Sequence, residues 1–270
     1  MQPTPSWRVA GAAAPQLAAG LLELEIRRAI GQRTTCRARF GALGSAGDTV
    51  GLQLLDRQLL EFGRSIEIAA AGRTLFAGSV AMLEAEFRDG VAPAAGMRAE
   101  DRYGALVAQP RRRVFEAMSD AAIAARIAAE HGLAARIDIP GRALPRVVQQ
   151  DQTDLEFLRA RAAVNRVDLL LGDDALVMRR RRPGRPVTLA LGAELRGYTG
   201  TASPTGSSAA IAGRAVLAGA PAIELGGGVE LRGIGAAFEG GHVATAIVLR
   251  FDLAGGLQTE LACERATLLP

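Results

Sequence analysis

Short runs of alternating apolar and polar residues, separated by glycines, fill the chain from residue 22 to residue 101. In the first run, Leu24 and Ile26 alternate with Glu23, Glu25 and Arg27. This period of two is typical of half-buried antiparallel strands, and the glycine spacing is typical of a barrel or sandwich. The separating glycines are Gly41, Gly44, Gly47, Gly63, Gly72, Gly78 and Gly90. We therefore predict a small β-domain over residues 1–108.

The middle of the chain, residues 109–186, changes to helical patterns. Ser119 is a suitable N-cap for an alanine-rich helix that ends near His131 and carries Ile123 and Ile127 on one face. This change of period predicts a small α/β domain between two regions of strands.

A second helix is predicted from a capping box, in which the Thr153 hydroxyl and the Glu156 carboxylate satisfy amides at the helix start. The helix should follow a polar lead-in at residues 149–152 and run to about Asn165, which tolerates a left-handed conformation. The apolar runs that follow, within residues 167–178, predict a hairpin.

Strand patterns return from Val187 onward and predict a second β-domain over residues 187–270. The predicted strands cover residues 188–191, 194–198, 214–217, 229–231, 246–251 and 259–263. The Ser-, Thr- and Gly-rich stretch 199–208 is predicted to be a loop. The fold class is therefore α+β but mainly β, with a small α/β domain between two antiparallel β-domains.

All 32 basic residues are arginine, since the chain contains no lysine. A GC-rich genome is the first explanation, and selection for bidentate contacts with carboxylates is the alternative. The net charge of +4 permits contact with a polyanion without requiring it. Cys36 and Cys263 lie in separate strand-like runs, so we expect small buried hydrophobes rather than a disulfide or a zinc site. The absence of about twenty consecutive apolar residues predicts no membrane span.

The two histidines, His131 and His242, are the obvious acid–base candidates. We expect His131 to stabilise a helix C-terminus and His242 to lie at a strand entry, so neither is predicted to be catalytic. The chain has no HExxH motif, no G-x-S-x-G motif and no P-loop, which requires a lysine.

Two other patterns resemble functional sites only superficially. Gly233 and Gly235, with Gly240 downstream, lack the third glycine and the helix of a dinucleotide-binding loop. Asp173 and Asp174 follow a glycine between apolar runs, which indicates a hairpin turn rather than a metal site. We predict no catalytic, cofactor-binding or metal-binding residue, and no enzymatic activity.

Two arginine runs are the candidate contacts with a polyanion. They comprise Arg111, Arg112 and Arg113, and Arg179, Arg180, Arg181 and Arg182. Neither run is interleaved with aromatic residues, so solvated linker charge or salt bridges to a neighbouring subunit are favoured over nucleic-acid binding. We expect the second run to belong to an exposed linker.

Taken in order, several motifs resemble the late control protein D family of contractile phage tails, which provides the baseplate hub. They include residues 48–56, Gly63, Ile66, Ile68, residues 76–78, residues 99–101, Gln150, Asp154, Phe157, Leu158, residues 213–215, Gly228, Val229, Phe238, Gly240, residues 250–252, Thr259 and Arg265. The same pattern is similar to the N-terminal hub region of the type VI secretion spike protein VgrG. Leu249 stands where the pattern has a histidine, and His242 stands where it commonly has an aromatic residue.

The resemblance implies two tube-like antiparallel β-barrel domains per subunit and a homotrimer with pseudo-sixfold symmetry. Such a ring would join a hexameric tail tube protein to a separate trimeric spike protein. It would contact other baseplate proteins and hold a tape measure protein or cargo in its lumen. Assembly would occur in the bacterial cytoplasm, within a virion tail or injection-system particle. Structural roles would fall to Gly63, Gly78, Thr153, Glu156, Phe157, Leu158 and Gly240.

Two alternatives remain open at this point. The first is a module that binds cargo or nucleic acid through the arginine runs. The second is a tail-associated hydrolase that uses Asp173, Asp174 or His131.

Overall fold

The computed structural model describes residues 4–46, 49–52, 54, 57–172, 174–181, 184–205 and 208–268. Gly47, Asp48, Leu55, Asp56, Asp173 and Arg182, which were named above, lie outside the described residues. Strands dominate the described chain, and the helices are few and short. The predicted α+β, mainly β fold class is therefore confirmed.

The first part of the chain, called the first β-half, combines strands with one short helix, α1 (Pro15–Gly20). Its strands are β1 (Ser6–Val9), β2 (Ala12–Ala13), β3 (Leu21–Ala29), β4 (Thr35–Gly41), β5 (Leu43–Ala46), β6 (Thr49–Leu52), β7 (Ser65–Ala70), β8 (Arg73–Arg88) and β9 (Val91–Glu100). The sequence patterns did not predict β1 or α1. Both belong to the core, because Trp7 and Leu17 are buried, and Trp7 packs edge-on against Phe40 at 5.3 Å.

A short 3-10 helix, Gly104–Val107, leads into the middle region. This region contains β10 (Arg111–Ser119), α2 (Asp120–Glu130), β11 (Ala135–Asp138), β12 (Ala143–Gln152), α3 (Asp154–Val164), β13 (Asp168–Leu171) and β14 (Leu176–Arg179). β10 pairs with β12, and β14 lies between β11 and β13. Phe115 of β10 stacks on Phe157 of α3 at 5.7 Å within a second core formed by this region.

Both helices of the middle region begin as predicted. The Ser119 hydroxyl accepts a hydrogen bond from the Ala122 amide at 3.1 Å, and both halves of the Thr153–Glu156 capping box are present. α3 also ends where predicted, with Asn165 as its C-cap. Asn165 keeps a right-handed conformation, and the left-handed residue is Arg166, with φ of 54°.

The second β-half contains β15 (Val187–Ala190), β16 (Leu195–Thr205), β17 (Ser208–Ala218), β18 (Gly228–Arg232), β19 (Gly240–Asp252) and β20 (Gly256–Leu268). The loop predicted at residues 199–208 is wrong, because β16 continues to Thr205 and β17 begins at Ser208. β17 is held on its other side by β20 over its whole length. That pairing stabilises a hairpin whose residue types alone favour a loop.

The two β-halves share one sheet in the order β16-β17-β20-β19-β3-β4-β9-β8-β7-β1-β2, and β18 with β15 extends from β19. β3 and β19 form the seam, paired from Ala29 with Ala246 to Glu23 with Asp252. Their apolar side chains form one continuous core beneath the sheet. Cys36 and Cys263 are free thiols in this core, and burial raises the pKa of Cys263 to about 11.

Candidate functional site: charged surfaces and the arginine runs

The seam strand β3 carries a charged face above the shared core. Leu24 and Ile26 are buried, whereas Glu23, Glu25 and Arg27 lie on the opposite, more exposed face, as their alternation predicted. Arg27 donates to Glu25 at 2.5 Å. The hydrogen bond from Arg27 lowers the pKa of Glu25. Burial opposes this effect, and a second hydrogen bond from Arg250 across the seam adds to it.

Neighbouring strands extend this charged face. Arg98 on β9 bonds to Glu84 on β8 at 2.9 Å, and Arg39 on β4 bonds to Glu86 on β8 at 3.1 Å. The cavity of about 550 Å³ above these strands is lined by more acidic than basic side chains. Its charged lining residues are Glu23, Glu25, Glu84, Glu86, Asp252, Arg37, Arg39 and Arg250. The sequence alternation predicted an exposed polar face here, but it did not predict which strands would share that face.

The first arginine run lies in β10 rather than in a linker, which corrects the prediction of solvated linker charge. Arg113 donates to Gln149 at 2.7 Å and to Asp154 at 2.5 Å, and it also bonds to Glu130. Arg112 forms a bidentate pair with Asp151. Arg111 lies 3.3 Å from Asp154. Carboxylates of the same chain therefore bind all three guanidinium groups.

Asp154, the first residue of α3, is the centre of this ionic cluster and is only 1% exposed. It accepts a hydrogen bond from Gln149 at 2.9 Å and contacts His131 Nε2 at 2.7 Å. Burial opposes ionisation of Asp154. Hydrogen bonds from His131 and Gln149, together with the charges of Arg113 and Arg111, outweigh burial and lower the pKa of Asp154.

His131 is the C-cap of α2, as predicted, and its backbone N–H donates to the carbonyl oxygens of Ala128 and Ala129. The contact of its side chain with Asp154 was not predicted, and it connects the end of one helix to the start of the next. A His–Asp contact can orient a general base, but catalysis also requires a nucleophile or an activated water. The nearby Thr153 hydroxyl is engaged in the capping box with Glu156. The arrangement therefore serves to hold β10, β12 and the two helices together.

The second arginine run leads from β14 into a connection whose described residues are exposed and without regular structure, as predicted, but one arginine of the run is bound by carboxylates. Arg179 ends β14, and Arg181 forms a bidentate pair with Asp168 at 2.8 and 2.9 Å. Arg181 also reaches Glu264 in the second β-half at 2.6 Å. Arg180 is exposed, and it forms no salt bridge with any described carboxylate. Arg181 therefore ties the middle region to the second β-half.

The remaining predicted site residues occupy positions with clear steric demands. A Cβ on Gly78 would lie 2.2 Å from the Glu100 carbonyl oxygen, and one on Gly240 would lie 2.7 Å from Arg265. Gly63 has φ of 73°. Phe157 and Leu158 are buried in the core of the middle region.

The remaining candidates for chemistry also contact groups of the same chain. Asp174 bonds to Arg136. His242 is 2% exposed and contacts the Gly240 carbonyl oxygen at 2.9 Å. Among the described residues, no group of three or more His, Cys, Asp or Glu side chains could hold a metal ion. No helix in the described chain combines the length and apolarity that a bilayer crossing requires.

Comparison with known families gives the decisive match. The sequence model described as the Alg8 N-terminal domain matches residues 44–199, more than half of the chain. The chain belongs to the Alg8 N-terminal domain family. The match begins in β5 of the first β-half and continues through β9, the whole middle region and β15 to the start of β16. No curated protein matches this family member in sequence.

Solved structures show the same fold. The 43 kDa tail protein of prophage MuSo2 from Shewanella oneidensis has a TM-score of 0.75 and 12% identity, over 96% of this chain and 97% of that chain. A tail protein from Neisseria meningitidis MC58 has a TM-score of 0.72 and 13% identity, over 97% of this chain and 96% of that chain. The E. coli c3393 protein has a TM-score of 0.70 and 13% identity, over 98% of this chain and 77% of that chain. That protein is described as a type VI secretion component with structural similarity to the T4 tail proteins gp27 and gp5. The predicted resemblance to phage tail and baseplate proteins is thus confirmed in the fold.

Proposed function

We propose that this chain is the structural baseplate hub of a contractile phage tail or a related contractile injection system. Three copies would form a pseudo-sixfold ring that joins a hexameric tail tube to a separate trimeric spike. Each subunit would consist of a first barrel domain (residues 1–108), a middle domain (residues 109–186) and a second barrel domain (residues 187–270). Other baseplate proteins, and a tape measure protein or cargo in the lumen, would complete its contacts. The hub would assemble in the bacterial cytoplasm and remain in the particle.

The observation that carries this proposal is a pair of open strand edges in the shared antiparallel sheet: β16, which ends the sheet, and the part of β8 that extends beyond its pairing with β7. From β16 to β8 the shared sheet passes through eight strands, each antiparallel to the next. Within the described chain, β17 alone forms a ladder with β16, and residues 81–88 of β8 pair with β9 alone. An unpaired edge of this length is a template on which a strand of another chain can pair.

An even number of strands makes head-to-tail closure geometrically consistent. Because eight antiparallel strands alternate in direction, β8 of a second copy would lie antiparallel to β16 of the first. Such a heterologous contact repeats around an axis and closes into a ring when the rotation permits. Phe87, 59% exposed, and Met82, 45% exposed, lie on the open part of β8 and would gain cover there. Since each copy contains two β-halves, three copies would supply six similar segments of the ring.

Native mass spectrometry of the purified chain tests this assembly. We expect a trimer, and we expect Phe87→Glu to dissociate it while the melting temperature of the subunit stays near the wild-type value. Leu253→Glu is the matched control, because Leu253 is 72% exposed in the turn between β19 and β20, away from both edges. A wild-type monomer at micromolar concentration would count against the hub. So would a trimer that is indifferent to Phe87→Glu.

A further inference from the structure

A second cavity, of about 570 Å³, lies where the shared sheet meets the middle region. We call it the basic groove. β3, β19 and β20 contribute one wall, and Val107 with α3 contributes the other. Its basic lining residues are Arg27, Arg28, Arg33, Arg159, Arg214 and Arg250, and its one acidic lining residue in the described chain is Glu260. This volume is typical of a ligand site.

Carboxylates compensate the charge of only part of this lining. Arg27 and Arg250 share Glu25, at 2.5 and 3.0 Å, and Arg33 bonds to Glu100. These pairs occupy three of the six guanidinium groups that line the groove.

Arg214 and Arg159 are the available groups. Arg214 is 69% exposed and reaches no described carboxylate closer than Glu260, at 3.7 Å, a carboxylate that Arg250 already binds. Arg159 forms no salt bridge with any described residue, and its stem lies against Gly31, within 3.3 Å of where a Cβ would be. Two guanidinium groups thus line one groove from opposite walls: Arg214 has a long contact with a carboxylate that Arg250 also binds, and among the described residues Arg159 has only the nearby charge of Glu156 on its own helix.

The surface between these forks is apolar and contains no aromatic side chain. Ala29, Ala246 and Val248 on the sheet and Val107 and Leu155 on the middle region form it. Guanidinium forks bind carboxylates and phosphates alike. Single-stranded nucleic acid also requires aromatic surfaces for base stacking, which this groove lacks. Carboxylates flanked by small apolar side chains therefore fit the lining better than a polynucleotide.

We propose that the basic groove binds an extended acidic segment of a partner polypeptide. Carboxylates of the segment pair with Arg159 and Arg214, and its apolar side chains lie on the alanine and valine surface. The site goes beyond the hub function, since all of its residues belong to one subunit and it would exist in a monomer as well as in a ring. It also differs from the predicted polyanion contacts, because the two arginine runs lie outside it.

Fluorescence anisotropy with a labelled synthetic peptide of alternating Glu and Val tests the site. We expect saturable binding to the full chain at low salt, weakened at least 10-fold by Arg159→Gln with Arg214→Gln. The matched control removes two exposed arginines elsewhere, Arg112→Gln with Arg180→Gln, and should leave the affinity within 2-fold of wild type. Melting temperatures and native masses of both double variants establish that fold and assembly are intact.

Two further probes separate the alternatives. A peptide of alternating Lys and Val should not bind, and oligothymidylate of the same net charge as the acidic peptide should bind more weakly than that peptide. Equal losses in both double variants would overturn the proposal, because they would show diffuse charge attraction. Tighter binding of oligothymidylate would overturn it in favour of nucleic acid. A monomeric chain that still binds the acidic peptide would contradict the hub but leave the groove assignment standing.

Discussion

Arg250 on β19 donates a 3.0 Å hydrogen bond from Nε to the carboxylate of Glu25 on β3, a residue 225 positions away in the chain. This contact crosses the seam at the directly paired positions of the two strands. The side chains of Arg250 and Glu25 are 43% and 29% exposed, so solvent screens the pair. The backbone ladder from Glu23 to Ala29 and the core beneath it must therefore supply most of the cohesion between the β-halves.

A double-mutant cycle of Glu25→Gln and Arg250→Gln measures the pair directly. Because of the screening, we expect a coupling free energy of about 0.2–1 kcal/mol from urea unfolding. Both single variants should still unfold in one transition, since the seam ladder remains intact. A coupling well above that range, or separate transitions for the two β-halves, would contradict the assignment of cohesion to the ladder and the core.

The ionic cluster at Asp154 predicts a much larger effect. Asp154→Asn should destabilise the chain by about 3–5 kcal/mol, because it removes a buried carboxylate from its half-buried partners Arg113 and His131. Asp151→Asn is the control: it breaks the exposed pair with Arg112 and should cost less than about 1 kcal/mol. Similar losses in the two variants would show that the cluster around Asp154 has no special structural role.

The same carboxylate predicts an acid dependence. The folded-state pKa of Asp154 is lowered, so the unfolded chain takes up the proton first as the pH falls. Its contribution to stability is therefore complete above about pH 4 and is lost at lower pH. The difference in unfolding free energy between wild type and Asp154→Asn should shrink between pH 5 and pH 2. A difference that stays constant would argue against a lowered pKa.

His242 predicts a dependence nearer neutrality. Burial, assisted by the charge of Arg265, lowers the pKa of His242, and the hydrogen bond with the Gly240 carbonyl oxygen and the charge of Glu230 offset only part of this effect. The unfolded chain then binds a proton that the folded chain does not, so stability falls as the pH drops below about 6.5. The slope should approach but not exceed about 1.4 kcal/mol per pH unit. His242→Asn keeps a donor toward the Gly240 carbonyl oxygen but cannot take up the proton. It should therefore remove this pH dependence of the unfolding free energy, measured by urea titration between pH 7.5 and pH 5. An identical slope in His242→Asn would contradict the assignment.

The capping box of α3 predicts a modest, local effect. Thr153→Ala removes the side-chain acceptor for the Glu156 amide and should cost about 1 kcal/mol in unfolding free energy. Thr153→Ser retains the hydroxyl and should cost a few tenths of that value. Equal losses in the two variants would point to the lost methyl group rather than to the cap.

Local signals predicted local structure well. The Thr153–Glu156 box and the alternation of Glu23, Leu24 and Glu25 each fix a geometry within a few residues, so the helix start and the exposed face of β3 could be predicted. The loop predicted at residues 199–208 failed, because β17 and β20 impose strand pairing on residues whose own propensities oppose it.

The charged sites were harder to predict, because their partners are distant in sequence. Arg113 pairs with residues 17, 36 and 41 positions away, and nothing near it in the sequence identifies them. The basic groove gathers arginines from β3, α3, β17 and β19, and only the β3–β19 seam and the placement of α3 bring them together. Runs of arginine in the sequence were therefore a poor guide to where uncompensated positive charge lies.

Class averages from electron microscopy of the purified particle test the central claim most directly. Two β-halves fused through one seam, in three copies, should give a closed ring with six similar lobes, threefold symmetry and an open channel. Isolated single subunits, a twofold dimer, or a closed particle in which the two β-halves of each subunit occupy unlike positions would contradict the account.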